Sequence, residues 1–268
     1  MNVKDKNLVV TGGGNGIGRE LVLNLLAKGA HVAAVDINPA ALQETASLAG
    51  QWKAALSTHV IDITDRATVE ALVDQVIAEH GAVDGIINNA GIIQPFVRLN
   101  ELTYHQLQRV LDVNFYGSLY MIKAFLPRLL ERPVAHITNV SSMGGFLPVP
   151  GQTVYGASKA AVKLLTEGLY SELLGTNVRV TLVYPGAIGT NIAVNSGIEI
   201  PGGSESIRGS IKQLAPEKAA QIIVDAIEKD RYSVLVGPDA RLMDLLYRLS
   251  PKMAAGFIYK QMKALLPG

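Results

Sequence analysis

The sequence predicts an α/β fold built on a single parallel sheet. Three observations carry this expectation. Apolar runs of strand length alternate with longer stretches of helical period from the first residues to about position 236. The first such run ends in a glycine cluster that opens straight into a helix-forming stretch. No linker rich in Ser, Pro or charge, no internal repeat and no low-complexity tract divides the 268 residues, so the strands most simply share one sheet.

Seven runs read as strands: residues 8–11, 31–36, 55–62, 84–88, 134–141, 178–184 and 233–236. The segments between them read as helices. The clearest covers residues 65–80, where Val69, Leu72, Val73, Val76 and Ile77 share one face and Thr64 or Asp65 serves as N-cap. Two segments break the alternation. Residues 185–215, rich in Gly and small polar residues, read as a functional mobile loop, and residues 239–268 form a tail. Residues 1–238 are therefore expected to be one domain, with 239–268 a helical extension of it.

Composition excludes several classes of function. With 24 basic and 23 acidic side chains the charge is nearly balanced, which argues against a nucleic-acid binder. The chain has no Cys, so a disulfide framework, a thiolate zinc site and a cysteine nucleophile are excluded together. Its five His show neither HExxH nor HxH spacing, and no metal site is expected. The apolar run after the charged first residues stops at Val10, too short for a signal peptide, so a cytoplasmic location is expected. The charge-free stretch 133–158 carries three Pro and many polar groups and reads as buried protein, not as a membrane span.

Residues 8–20 read LVVTGGGNGIGRE. Glycines let a chain turn tightly and approach a pyrophosphate, which sits at a helix N-terminus where unpaired N–H groups and the macrodipole favour anions. The spacing is TGxxxGxG, with Thr11, Gly12, Gly16 and Gly18; Asn15 and Ile17 lie inside the same turn. A phosphate-binding P-loop is excluded, because Arg19 and Glu20 follow the last glycine where Lys and Ser or Thr would be needed. Asp36 closes the second strand about twenty residues on, where a carboxylate can accept from both hydroxyls of an adenosine ribose and repel a 2′-phosphate. Asn15 and Ile37 offer no cation to neutralise such a phosphate, so NAD is preferred over NADP.

Tyr155 and Lys159 stand at i and i+4 near the start of a long helical stretch and share a face. A free tyrosine titrates near 10, so using it as a base at neutrality requires about 4 kcal/mol of stabilisation of the phenolate. A close ammonium supplies that sign of shift, and an oxidised nicotinamide adds to it.

The glycine turn, Asn88-Asn89-Ala90-Gly91, Asn114, Ser142, the Tyr155-Gly-Ala-Ser-Lys159 run and Tyr184-Pro185-Gly186 occur in this order in one chain. Together they resemble the short-chain dehydrogenase/reductase family, over about residues 5–238. The resemblance implies a Rossmann-like doubly wound sandwich with a seven-stranded parallel sheet, and a homotetramer or dimer. It implies that Tyr155 exchanges a proton with the substrate oxygen and that Ser142, thirteen positions before it, hydrogen-bonds that oxygen; Ser141 is the neighbour not chosen. Lys159 would hold the nicotinamide ribose and lower the tyrosine, and Asn114 would hold a water linking Lys159 to solvent. Asn88, Ala90 and Gly91 would lie beside the adenosine ribose, Asp62 and Ile63 beside the adenine, and Gly12, Asn15, Gly16, Ile17 and Gly18 around the pyrophosphate. In the Pro185-Gly186 turn, the Ile188 backbone and the Thr190 hydroxyl would hold the carboxamide.

By the same analogy Gln94, Phe96, Met143, Gly144, Phe146, Val149, Gln152, Ile188, Ile192, Val194 and Ile198 line the substrate space. That mostly apolar set favours a small hydrophobic secondary alcohol or ketone over a sugar or carboxylate. Arg98 and Arg208 are the two cations that could change this. The tail carries a net charge of +3 and two apolar stripes, Leu242, Leu245, Leu246 and Leu249, then Ile258, Met262 and Leu265. Three readings compete for it: packing on its own or a partner subunit, covering the substrate pocket, or lying on an anionic membrane surface, the last least favoured. The expected activity is NAD-dependent alcohol dehydrogenase or carbonyl reductase. The alternative is a dinucleotide-sensing or scaffold protein with the same fold and little turnover, against which the intact catalytic set speaks. A serine hydrolase is excluded, since no GxSxG elbow occurs.

Overall fold

The computed structural model describes residues 1–198, 213–263 and 266. Seven strands, β1 (Asn7–Thr11), β2 (His31–Asp36), β3 (Leu56–Val60), β4 (Gly85–Asn88), β5 (Ala135–Val140), β6 (Val178–Pro185) and β7 (Ser233–Val236), form one sheet. Every pairing is parallel, in the order β3-β2-β1-β4-β5-β6-β7. The helices described are α1 (Gly16–Ala27), α2 (Pro39–Leu48), α3 (Arg66–His80), α4 (Tyr104–Leu111), α5 (Ser118–Leu130), α6 (Thr153–Glu172), α7 (Ile192–Asn195), α8 (Pro216–Glu228), α9 (Pro238–Leu249) and α10 (Pro251–Met262). The parallel sheet that the alternation foretold is present, in the Rossmann-like doubly wound sandwich that the family resemblance implied. The third strand ends two residues earlier than expected, although Ile61 still donates its N–H to the Asp36 carbonyl at 3.0 Å.

Strand side chains point alternately to the two faces, and both faces are apolar. Leu8, Val10, Val32, Ala34 and Ile87 pack with Leu21, Leu25, Ile223 and Val224 of α1 and α8. Val9, Ala33, Val35, Ile86 and Ile137 pack with Leu72, Val76, Phe125 and Leu169 of α3, α5 and α6. A sheet covered on both sides explains the near-continuous apolar runs. In α3 the expected stripe of Val69, Leu72, Val73 and Val76 is buried, and the Asp65 side chain caps the helix on the Ala67 and Thr68 N–H groups.

Strand order reverses between β1 and β4, which opens a crevice at their carboxyl ends. The tail helices α9 and α10 pack Met243, Ala254 and Ile258 around Leu147, with Met143, Phe146 and Val149 alongside. They therefore sit on the loop that follows β5. Leu242, Leu245 and Leu249 stay exposed on their outer side, while Leu265 and Arg208 lie outside the described residues. Among the described residues no helix is long and apolar enough to cross a membrane.

Candidate active site

The glycine turn is held in shape by its own residues and by two others. Gly12 and Gly16 adopt φ of +69° and +52°, backbone conformations that side-chain-bearing residues rarely take. Asn15 caps α1, accepting the Gly16 N–H at 2.7 Å. A Cβ on Gly18 would collide with the Gly12 carbonyl, so α1 starts hard against the turn. The first N–H groups of α1, Ile17 and Gly18 among them, have no acceptor within the helix and suit a pyrophosphate. The crevice residues therefore fit a dinucleotide.

Asp36 stands beside this turn. Its carboxylate accepts the Gly14 N–H at 3.0 Å and the Asn38 N–H at 3.0 Å, which leaves lone pairs for two ribose hydroxyls. Arg19 does not face outward as a free cation. Its guanidinium donates to the Gly14 carbonyl at 2.6 and 3.0 Å and pairs with Glu44 at 2.6 Å.

The NNAG segment divides its work differently from the sequence expectation. Asn88 is buried and donates to Asn139 Oδ1 at 2.8 Å, so its side chain is turned into the sheet and only its backbone is left for a ribose. Asn89, which the sequence reading passed over, donates to the Thr11 carbonyl at 3.0 Å, while Thr11 Oγ1 accepts the N–H groups of Asn89 and Ala90. These bonds tie the end of β1 to the end of β4. Asp62 is exposed and spends Oδ1 on the Thr64 N–H and hydroxyl, whereas Ile63 is buried against Gly117.

At the other side of the crevice, Lys159 is only 4% exposed and donates from Nζ to the Val140 carbonyl at 3.0 Å. A Cβ on Gly91 would stand 3.1 Å from Lys159 Nζ and 3.2 Å from Asn114 Oδ1, so these three residues converge. Asn114 sits in a π-helical turn, Asp112–Gly117, between α4 and α5; such turns are frequent at functional sites because the extra residue re-aims a side chain. Its amide brackets Ile92, accepting the N–H at 2.8 Å and donating to the carbonyl at 3.0 Å, and also donates to Ser158 at 2.9 Å. Both amide hydrogens are thus committed, and one lone pair on Oδ1 is left for a water.

Ser142 follows β5 and accepts the Gly144 N–H at 3.0 Å; a Cβ on Gly144 would lie 3.5 Å from Ser142 Oγ and 3.3 Å from the Tyr155 ring, so the serine hydroxyl and the tyrosine flank the same glycine. Ser141 points elsewhere and donates to the Lys159 carbonyl at 2.7 Å, anchoring α6. Burial pushes the Tyr155 phenol above its ordinary 10, and the neighbouring Ser142 hydroxyl only partly opposes this. Burial likewise pushes the Lys159 ammonium down to about 8. The expected lowering of Tyr155 by Lys159 is therefore not what the protein alone produces. The reason is desolvation, which disfavours the charged form of both groups.

The turn after β6 closes the site. The Gly186 N–H donates to the Val236 carbonyl, and the Ala187 N–H donates to the carboxylate of Asp239, from the first turn of α9, at 2.6 Å. Ile188 pairs in parallel with Leu214, and Thr190 lies against Gly16, its methyl 3.1 Å from where a Cβ there would be. Of the residues expected to line the substrate space, Gln94 is fully buried and Gln152 nearly so, each hydrogen-bonded inside the protein. They are removed from the lining. Met143, Phe146, Val149 and Ile188 are partly buried, Val194 is 74% exposed, and Phe146 stacks edge-on against Tyr184. Arg98 is exposed. Asn89, Asp239 and the buried Gln94 are the residues that sequence reasoning missed or misplaced.

Comparison with known proteins gives a consistent result. A family model described as short chain dehydrogenase matches residues 6–199. SadH of Mycobacterium tuberculosis, named as an oxidoreductase, is 37% identical over 250 residues, covering 91% of this chain and 90% of that protein. A crystal structure of a short chain dehydrogenase/reductase from Burkholderia phymatum in complex with NAD superposes with a TM-score of 0.83 at 28% identity, over 93% of this chain and 96% of that one. A short chain dehydrogenase from Burkholderia cenocepacia in complex with NADP gives a TM-score of 0.80 at 26% identity, over 96% and 99% of the two chains.

Proposed function

We propose, from the premise that the chain belongs to the short-chain dehydrogenase/reductase family, that this oxidoreductase interconverts a hydrophobic secondary alcohol and its ketone with NAD(H). The observation that supports the reading is that Ser142 and Tyr155 flank Gly144 beside the convergence of Lys159, Gly91 and Asn114 at the strand-order crevice. The dinucleotide, when bound, supplies the hydride acceptor or donor and, in its oxidised form, a positive charge. Ser142 Oγ holds the substrate oxygen. Tyr155 Oη takes the hydroxyl proton during oxidation and returns it during reduction. Lys159 binds the nicotinamide ribose, and Asn114 fixes Ile92 and holds the water through which the proton reaches solvent. Ile188 and Thr190 hold the carboxamide.

A neutral phenol at pH 7, which burial favours here, suits the proton-donating direction without assistance. The oxidative direction needs the added positive charge. The preference for NAD rests on Asp36 at the turn, on Ile37 being 65% exposed beside it, and on Arg19 being committed to Gly14 and Glu44. The apolar lining argues for the hydrophobic substrate. Residues 1–238 act as the catalytic unit with 239–268 as its extension, in a cytoplasmic homo-oligomer; the exposed Leu164, Tyr170 and Leu174 of the α6 region supply apolar contact surface for assembly.

The test is a panel of hydrophobic alcohols and ketones with NAD(H) and NADP(H), followed as absorbance of the reduced cofactor, on wild type and Tyr155→Phe. Turnover that survives in Tyr155→Phe refutes the reading; cofactor binding should persist while at least 99% of the rate is lost.

A further inference from the structure

We infer that Gln94 is a positioning residue for Tyr155, capping the helix that carries it and tying it to the Asn114 side of the site. The inference rests on the acid/base reading of Tyr155 given above. The first N–H groups of any α-helix need acceptors from outside it, and the first turn frays most easily when they have none. Tyr155 is the third residue of α6, so its position depends on that first turn. The N-cap residue of α6 is Gln152, whose side chain makes no capping hydrogen bond.

The cap comes from a distant part of the chain instead. Gln94 Oε1 accepts both the Val154 N–H at 2.7 Å and the Tyr155 N–H at 3.0 Å. The same side chain donates from Nε2 to the Gly151 carbonyl at 3.0 Å, and the Gln94 carbonyl accepts from Gln152 Nε2 at 2.7 Å. Gln94 is fully buried, so water cannot replace these bonds without opening the structure. Two residues earlier, Ile92 has both backbone groups held by the Asn114 amide. A short stretch of backbone therefore links Asn114 to the amide of Tyr155.

Lys159, one turn further on, has its own anchors: its carbonyl accepts from Ser141 and its Nζ donates to Val140. Loss of the Gln94 cap should then loosen Tyr155 while leaving Lys159 in place. A misplacement of about 1 Å at a reacting group costs about 100-fold in rate.

The experiment compares wild type, Gln94→Leu, Gln94→Glu, Ser142→Ala and Tyr155→Phe. Tyrosine is labelled at Cζ with carbon-13, the Tyr155 resonance being the one absent in Tyr155→Phe, and kcat and KM for NAD are measured with the most active alcohol of the panel. Gln94→Leu is expected to move the Tyr155 resonance in the same direction as Ser142→Ala and to lower kcat about 10- to 100-fold, with KM for NAD within twofold of wild type. Gln94→Glu keeps an acceptor oxygen facing Val154 and Tyr155, but only its protonated form can also donate to the Gly151 carbonyl, so its kcat relative to wild type is expected to exceed that of Gln94→Leu and to rise as pH falls. An unmoved resonance, or a kcat within threefold of wild type in folded Gln94→Leu, overturns the inference. Should Gln94→Leu fail to fold, amide exchange in wild type decides: protected Val154 and Tyr155 N–H groups support the cap, and exchange at the rate of free helix-start amides overturns it. If Tyr155→Phe remains active, the proposed function itself fails; if it is inactive while Gln94→Leu is unimpaired, only the positioning role does.

Discussion

Replacing Lys159 by Met should stabilise the cofactor-free protein while abolishing its activity. In the folded chain burial pushes the ammonium down from the ordinary 10.5 to about 8. At 1.36 kcal/mol per pH unit, keeping that buried group charged costs about 3 kcal/mol wherever both folded and unfolded states hold the proton, that is below about pH 8. Methionine has similar length and no charge, but it leaves the Val140 carbonyl without its 3.0 Å donor. That loss takes back about 1 kcal/mol, leaving a net gain of about 2 kcal/mol at pH 7.

For a chain of this size the gain corresponds to a rise in Tm of about 4–8 °C. Between about pH 8 and 10.5 the unfolded chain binds more protons than the folded one, so wild type gains stability as pH rises and the advantage of the variant shrinks. It should be nearly gone by about pH 9.5. Tyr155, whose folded value lies above 10, contributes nothing to this difference below that pH. Scanning calorimetry of both proteins at pH 7 and pH 9.5 reads the effect. A variant less stable than wild type at pH 7, or a gap that does not close at the higher pH, refutes the argument that Lys159 is held charged at the expense of stability.

Other perturbations follow from the same geometry. Gly91→Ala places a methyl 3.1 Å from Lys159 Nζ and 3.2 Å from Asn114 Oδ1, and should cut kcat about tenfold or more with a stability loss of about 1 kcal/mol, seen by steady-state kinetics and urea unfolding. Asp36→Ala removes the carboxylate proposed to meet the adenosine ribose and one acceptor for the Gly14 N–H; the ratio of kcat/KM for NAD over NADP should fall about tenfold or more, and an unchanged ratio would remove Asp36 from cofactor choice. Deletion of 240–268 strips Met243, Ala254 and Ile258 from Leu147. The truncated protein should lose solubility and alcohol turnover, as judged by sedimentation and the panel assay; a soluble, fully active truncation would confine the tail to a passive role.

What could be read from the sequence was local in origin. Val9 and Val10, or Ile86 and Ile87, declare a doubly covered strand by adjacency alone, and the glycine spacing declares a tight strand-to-helix turn because few other residues reach φ of +69° or +52°. The sequence could also bring Tyr155 and Lys159 together, since one helical turn separates them. The bonds that finish the site join residues far apart: Asn89 to Thr11, Gln94 to the start of α6, Asp239 to Ala187. Asn, Gln and Asp are common surface residues, and no periodicity marks the ones that face inward. The nearest usable signal was the glycine at 186, where a Cβ would collide with the Asp239 carboxylate, but only the fold shows which partner requires it.

The tyrosine illustrates a second limit, because proximity and depth pull its acidity in opposite directions. Spacing along the helix places an ammonium near a phenol and so argues for a lowered value. Depth within the fold is invisible to spacing, and here burial raises Tyr155, opposed in part by the Ser142 hydroxyl, while it lowers Lys159 to about 8. Desolvation acts before any ligand arrives, whereas the pull of a positive charge depends on what occupies the crevice. The protein alone therefore favours the protonated phenol, and on the proposed mechanism the charge of an oxidised dinucleotide would be what favours the base. On this argument the pH dependence of alcohol oxidation, and not that of ketone reduction, reports the electrostatic coupling between Tyr155 and the bound dinucleotide.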